Sequence, residues 1–209
     1  MIDYIGPGDN VPYMSQYDTR VEAAWQSKFC GIVSLYMVVR YWYEQRHKNP
    51  PGLEEISDYA LKLGGFNQEE GWDHTKLADT ARHFKCDALA RSWLCRQNDM
   101  DIMFNQNRLR NEREAAYYQQ QVYAEFMYSL FCFLNDQIPI LLSVKPKFGP
   151  SNSNHVIVVT GIDSYRDHLL VHDPQHMAHK GENIAVTTKK LLQFSNFNAI
   201  VVYDETVRS

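Results

Sequence analysis

The chain has little of what would commit it to nucleic acid, to a bilayer or to a disulfide scaffold. Its 21 Lys and Arg stand against 25 Asp and Glu, a formal charge of -4. The basic residues form no block, so nothing supplies the positive footprint that nucleic acid or an anionic membrane surface requires. The longest apolar runs, Ile32 to Val39 and Pro139 to Val144, fall far short of the roughly 20 residues that cross a bilayer. Met1 to Asn10 carry two Asp, two Gly and no basic cluster before an apolar run, so no secretory signal is expected and the chain reads as cytoplasmic unless exported by another route. Four cysteines, Cys30, Cys86, Cys95 and Cys132, are too sparse and irregular for a stapled secreted fold, so free thiols are expected. What is present is a core. With 44% apolar residues, 13 Tyr and 10 Phe, the chain can bury enough surface to exclude disorder, and 209 residues suit one domain, 1-209.

Hydrophobic spacing divides the chain into helices first and strands second. From Cys30 to about Arg46, Ile32, Leu35, Tyr36, Val39 and Tyr43 recur at helical intervals ahead of Pro50 and Pro51, which predicts a mostly buried helix opening at Cys30. Leu53 to Leu63 predicts a second, stopped by Gly64 and Gly65, and Thr75 to Phe84 a third, capped by Asp73. Asn105 to Asn135 lacks Pro and Gly and suits one long helix or two short ones, read as part of a helical insertion at about 95-135. A further strand is possible between Cys86 and Cys95. Beyond the insertion the pattern changes to short β-branched runs separated by turn residues: Ile138 to Val144, His155 to Ile162, His168 to His172, Asn183 to Val186 and Ala199 to Tyr203. A short helix is expected near Thr188 to Phe194. These strands predict one antiparallel sheet, and the whole an α+β fold with N-terminal helices packed on a C-terminal sheet.

Three residues in this frame carry chemistry. Cys30 at a helix N-terminus is exposed to the dipole and to unpaired N-H groups that favour the thiolate, the form that attacks carbon. Gly31 removes bulk where a substrate carbonyl would approach. His155 opens its strand after a polar loop and can face a cleft. Asp173 ends the next strand, and antiparallel pairing through Asp163 to Asp167 returns it beside His155. A carboxylate there would accept the histidine Nδ1-H and orient the base.

The strings VPYMSQYD, CGIVSLYMV, QIPILLSV, HVIVVTGID and VHDP, in this order, resemble the papain-like superfamily of bacteriocin-processing (double-glycine leader) peptidases and their stand-alone bacterial relatives. The resemblance spans about residues 11 to 175, with GWDH at Gly71 to His74 also similar to the stand-alone members. It implies a papain-like fold with Cys30 as nucleophile, His155 as base and Asp173 as orienting acid. It also implies a glutamine ahead of the cysteine that donates to the oxyanion. Two glutamines qualify: Gln16, fourteen residues before Cys30, and Gln26, four before. Gln16 is preferred because YMSQYD matches the family's entry segment, while Gln26 stays open.

The expected activity is hydrolysis of a peptide or peptidoglycan-like amide bond through a thioester, with no cofactor and no metal. The alternatives are acyl transfer or peptidoglycan amidase action with the same three residues, and a non-catalytic peptide-binding domain on the same scaffold. His168, His172, His176 and His179 lie close enough in sequence to suggest zinc, but Pro174 forbids a continuous helix through them, so they read as a polar loop at the cleft mouth. Trp72 and His74 are expected either to line the cleft or to pack as a lid over the core. Trp25, Trp42 and Trp93 are expected to pack.

Overall fold

A computed structural model describes residues 3-69, 71-94, 97-149, 153-204 and 206. Its centre is α1 (Cys30–Gln45), in which Gly31 to Val39, Tyr41 and Trp42 are all buried. A helix apolar all round belongs inside a core rather than on its surface. Around its N-terminal half lie α2 (Leu53–Lys62) and α3 (His74–His83), the latter capped by the Asp73 carboxylate, which accepts the Lys76 N-H at 2.9 Å. Between them sits a two-residue hairpin, Phe66–Asn67 paired with Gly71–Trp72.

The main sheet is antiparallel. From one edge its strands run Asp87–Ser92, Ser195–Tyr203, Ile140–Val144, His155–Asp163, His168–His172 and Ile184–Thr187, and the short strand Tyr4–Ile5 pairs with the end of His155–Asp163. Every residue of Ile140–Val144 and of His155–Asp163 is buried. Since side chains alternate across a strand, burial of both sets means that both faces are covered. One cover is α1, which contacts both of these strands. The other comes from the region of the expected insertion, which forms α4 (Gln97–Asn105) and α5 (Glu112–Asn135). Val122, Phe126, Leu130 and Leu134 form the buried stripe of α5, and this helix contacts the same two central strands. The short helix expected near Thr188 is present as α6 (Thr188–Phe194).

Helices, main sheet and antiparallel pairing are as the sequence predicts; the strand Tyr4–Ile5 and the hairpin of Phe66–Asn67 and Gly71–Trp72 are additions, and two predicted stretches differ. The stretch from Asn105 to Asn135 holds one long helix preceded by the end of another. The break falls at Asn107, in left-handed conformation with φ 56°, and at Asn111, whose side chain caps α5 by accepting the Glu114 N-H at 2.9 Å. The last strand begins at Ser195 rather than Ala199. Leu142 pairs with Ala199 and Val144 with Ser195, so the last strand spends extra residues opposite Ser143. Phe197 in that bulge has φ 54°, which interrupts the alternation that marks a strand in sequence. Among the described residues no helix is long and apolar enough to cross a membrane.

Candidate active site

Cys30 opens α1, and the residue before it, Phe29, provides no side-chain cap. The first N-H groups of the helix are therefore left to polarise whatever lies at its end. The helix is tied to the sheet at this point: Ser34 Oγ donates to Val156 O at 3.1 Å, both buried, one residue past His155. The strand of His155 runs beside that of Asp173, with Val158 opposite His172, and this register brings the next residue, Asp173, back to the histidine. His155 Nε2 and Asp173 Oδ1 are 2.7 Å apart, with the two residues 3% and 2% exposed. A carboxylate can only accept, so Nε2 carries the proton. This corrects the expected Nδ1 contact: Asp173 holds Nε2, and the other ring nitrogen is left free of the carboxylate.

The three groups shift one another. Burial pushes the Cys30 thiol up, but its hydrogen bond with His155 and the charge of that ring pull it down further, helped by the Val156 and Gly31 N-H groups, so it lies below the ordinary thiol range. Burial alone would lower His155, yet its hydrogen bonds with Asp173 and Cys30 and their charges raise it to about 9. Asp173 would be raised by burial, and is instead lowered by the hydrogen bond and charge of His155 and by the Gln175 N-H, which donates to Oδ1 at 2.9 Å. The direction of each shift is the one that a thiolate beside an imidazolium would produce.

Asp173 is braced by a segment from the other end of the chain. Tyr13 Oη donates to the carbonyls of Asp173 and His176 at 3.1 and 3.0 Å, Ser15 Oγ to His176 O at 2.6 Å, and Gln16 N to Pro174 O at 2.8 Å. Asp173 N donates to Gly181 O at 2.8 Å. A Cβ on Gly181 would stand 2.0 Å from Asp173 O, so only glycine permits this close return. Gln16 is 2% exposed, with its Oε1 lacking a hydrogen-bond partner. Gln26 Nε2 instead donates to Val21 O at 3.4 Å.

Cys30 opens on a cleft of about 670 Å³. One wall is the hairpin with Phe66, Glu69 and Trp72, and another is Ser143, Asn154 and Val156. Trp72 both lines the cleft and packs in the core, at 7% exposure, with its Nε1-H on Lys28 O at 2.7 Å. Its indole also corrects the reading of Gly31. A Cβ there would lie 2.8 Å from Trp72 Cγ, so the glycine makes room for the tryptophan and not for a substrate carbonyl. Trp42 and Trp93 are buried, and Trp25 packs on Phe29 and Phe66.

The four clustered histidines each have a separate engagement. His172 is fully buried: its Nε2-H donates to Val11 O at 2.9 Å and its Nδ1 accepts the Asn183 N-H at 3.1 Å, and burial lowers its pKa. His168 lies on Asp163, His176 on Asp173 and His179 on Glu182. Cys30, Cys86 and Cys132 are free, Cys86 being pushed up to about 12 by burial. Cys95 lies outside the described residues.

This arrangement meets its match in known proteins. Residues 9-208 fit the Peptidase_C39 like family. The chain belongs to that family, and is a papain-like cysteine peptidase by class. Its fold is similar to that of a C39-like peptidase from Bacillus anthracis (TM-score 0.59, 11% identity, covering 97% of this chain and 98% of that one). It is also similar to a double glycine motif protease of an AMS/PCAT transporter crystallised with its leader peptide (TM-score 0.52, 14% identity, 97% and 98% covered). The peptidase domain of Streptococcus ComA, a bi-functional ABC transporter involved in quorum sensing, gives TM-score 0.52 at 13% identity, with 93% and 99% covered. At these identities the likeness speaks for the fold. No curated protein sequence matches the chain.

The sequence did not point to Ser15, Tyr13 or Gly181 as the brace of Asp173, nor to Asn196, whose side chain sits behind the cleft wall.

Proposed function

We propose that this peptidase hydrolyses peptide or peptide-like amide bonds through a thioester on Cys30. The observation that carries the reading is the run of contacts from Asp173 through His155 to Cys30, with the thiol lowered and the imidazole raised. The thiolate attacks the amide carbonyl carbon, and the Cys30 N-H with the Gln16 side-chain amide holds the oxyanion. As the tetrahedral species collapses, the C-N bond breaks and the imidazolium gives its Nδ1 proton to the departing amine. A water molecule then loses a proton to the same nitrogen, attacks the thioester and releases the acid. Asp173 keeps the ring oriented through Nε2 in both halves. Gln16 is favoured over Gln26 because Gln26 has its amide N-H on Val21 O, whereas Gln16 is anchored beside Asp173. A peptide substrate accords with the related protease that was crystallised with a leader peptide.

The test is alkylation of Cys30 by iodoacetamide as a function of pH, followed by mass spectrometry of the Cys30 peptide. Rapid modification at pH 6 is expected, where an ordinary thiol of pKa about 8.5 is almost wholly protonated. A profile that rises only near that ordinary value would refute the ion pair. With peptide substrate, acid quenching should trap an acyl adduct on Cys30 that is lost in Cys30→Ala. Peptide binding without any adduct would mark the chain as a binding domain.

A further inference from the structure

The wall of the cleft behind Cys30 contains polar groups that the hydrolytic steps leave unused. Ser143, in an otherwise apolar strand, is 2% exposed and Asn196 6%. Burying a hydroxyl and an amide is costly unless their hydrogen bonds are met inside. They are met by one another and by a third group. Asn196 Nδ2 donates to Ser143 Oγ at 3.0 Å and to Asn154 Oδ1 at 3.0 Å. The bulge of the last strand, with Phe197 at φ 54°, is what brings Asn196 to this position, and bulges of this kind re-aim side chains beside sites. Asn154 immediately precedes His155, is exposed, and lines the cleft with Cys30 and Ser143.

The donor count decides what Asn154 can offer. Both N-H bonds of Asn196 Nδ2 are used, one on each partner, so the Asn154 oxygen is occupied as an acceptor. Its own amide nitrogen carries two further N-H donors, on a residue that is exposed and lines the cleft. We propose that Asn154, held by Asn196 and Ser143, is a substrate-binding subsite that donates its side-chain amide to a carbonyl oxygen of the peptide lying across Cys30. This rests on the peptidase reading above and adds a specificity-determining contact to it. A donor already fixed by a buried partner loses little freedom on binding, so it discriminates in favour of chains that present a carbonyl there. The cluster also explains why a buried strand of the core carries a serine at position 143.

The experiment compares two alkylating probes on the full chain: a set of N-acetyl-tripeptidyl chloromethyl ketones, and chloroacetone as their non-peptide counterpart. The quantity read is the ratio of the two rates at Cys30, which isolates peptide recognition from thiol reactivity. For Asn154→Ala and Asn196→Leu this ratio should fall roughly tenfold, the upper range for one hydrogen bond. Asn154→Asp, which keeps the acceptor and removes the donor, should fall at least as far. A ratio unchanged in Asn154→Ala, or both rates falling together so that the ratio holds, would overturn the subsite. Retention of the ratio in Asn154→Asp would overturn the donor assignment and with it the proposal. If the wild-type protein reacts with no peptidyl probe faster than with chloroacetone, the peptidase reading itself fails, and that result is distinct because it precedes any substitution.

Discussion

Replacing Asp173 by Asn removes one charge from the candidate active site and almost nothing else. The side chain is nearly isosteric, 2% exposed, and its oxygen can still accept the Nε2-H of His155 and the Gln175 N-H, now found at 2.7 and 2.9 Å. The new amide nitrogen would take the place of Oδ2, 3.4 Å from His176 Nε2, where it can donate. The fold should therefore survive. A hydrogen bond to a charged partner contributes about 1.5-3 kcal/mol, and a neutral one about 0.5-1.5. The imidazolium of His155 should thus lose about 1-2 kcal/mol of support, which lowers the ratio of thiolate-imidazolium to neutral pairs at neutral pH by roughly 5- to 30-fold. The assay is the iodoacetamide rate at Cys30 from pH 4 to 10. In Asp173→Asn the rate near pH 7 should drop by up to that factor and approach wild type above the pKa of a free thiol, where the imidazole no longer matters. A wild-type profile at all pH values would refute the reasoning, because it would mean that the carboxylate does not set the state of the pair.

Three further outcomes follow from the same geometry. Gly31→Ala places a methyl group 2.8 to 3.0 Å from three atoms of the Trp72 side chain, and such overpacking should cost about 1-3 kcal/mol by chemical denaturation; wild-type stability would show that the indole is free to move. Gln16→Ala should reduce turnover of p-nitrophenyl acetate about 100- to 1000-fold, the usual effect of removing an oxyanion donor, while Gln26→Ala stays within a factor of about three; the reverse order would exchange their roles. For stability against pH, raised His155 contributes fully below about pH 6.5 and loses its contribution as pH rises through about 9, whereas lowered Cys30 contributes above about 8.5 and loses it as pH falls through its folded value. Between about 6.5 and 8.5 the folded and unfolded pair hold the same number of protons, so Tm should be flat there, and in Cys30→Ala its decline with rising pH should begin near 6.5 instead. Identical Tm profiles for the two proteins would contradict the coupling.

The parts of this structure that could be read from sequence are those whose cause is local. The spacing of Ile32, Leu35, Tyr36 and Val39 specifies α1, and the β-branched runs after Gln137 specify the central strands, because burial there follows a fixed period. His155 and Asp173 could be brought together since one hairpin register is enough to do so, whereas Cys30 joined them through the family resemblance. What escaped depends on side-chain direction or on contacts across the chain. Which imidazole nitrogen meets Asp173 is a matter of rotamer. Gly31 looks like an opening until Trp72, brought by a hairpin of two-residue strands, is seen to fill it. Ser195 to Asn198 does not alternate, because Phe197 turns left-handed, so Asn196, which reaches Ser143 and Asn154, does not read as part of a strand.

The placement of Asp173 links the two ends of the candidate mechanism. Its turn closes only because Gly181 lets the backbone return within contact distance, and it is then clamped by Tyr13, Ser15 and the backbone of Gln16. The burial of Tyr13, together with the nearby Asp173 charge, raises its hydroxyl to about 12, so it stays a neutral donor through the whole working range. The clamp that fixes the acid therefore also fixes the backbone of the residue proposed to hold the oxyanion. Movement of the Tyr13 to Gln16 segment would disturb both groups at once, so the orientation of the base and the stabilisation of the tetrahedral species are coupled through one short stretch of chain. That coupling gives a physical reason for a largely buried entry segment, hydrogen-bonded to the turn after Asp173, far in sequence from the cysteine.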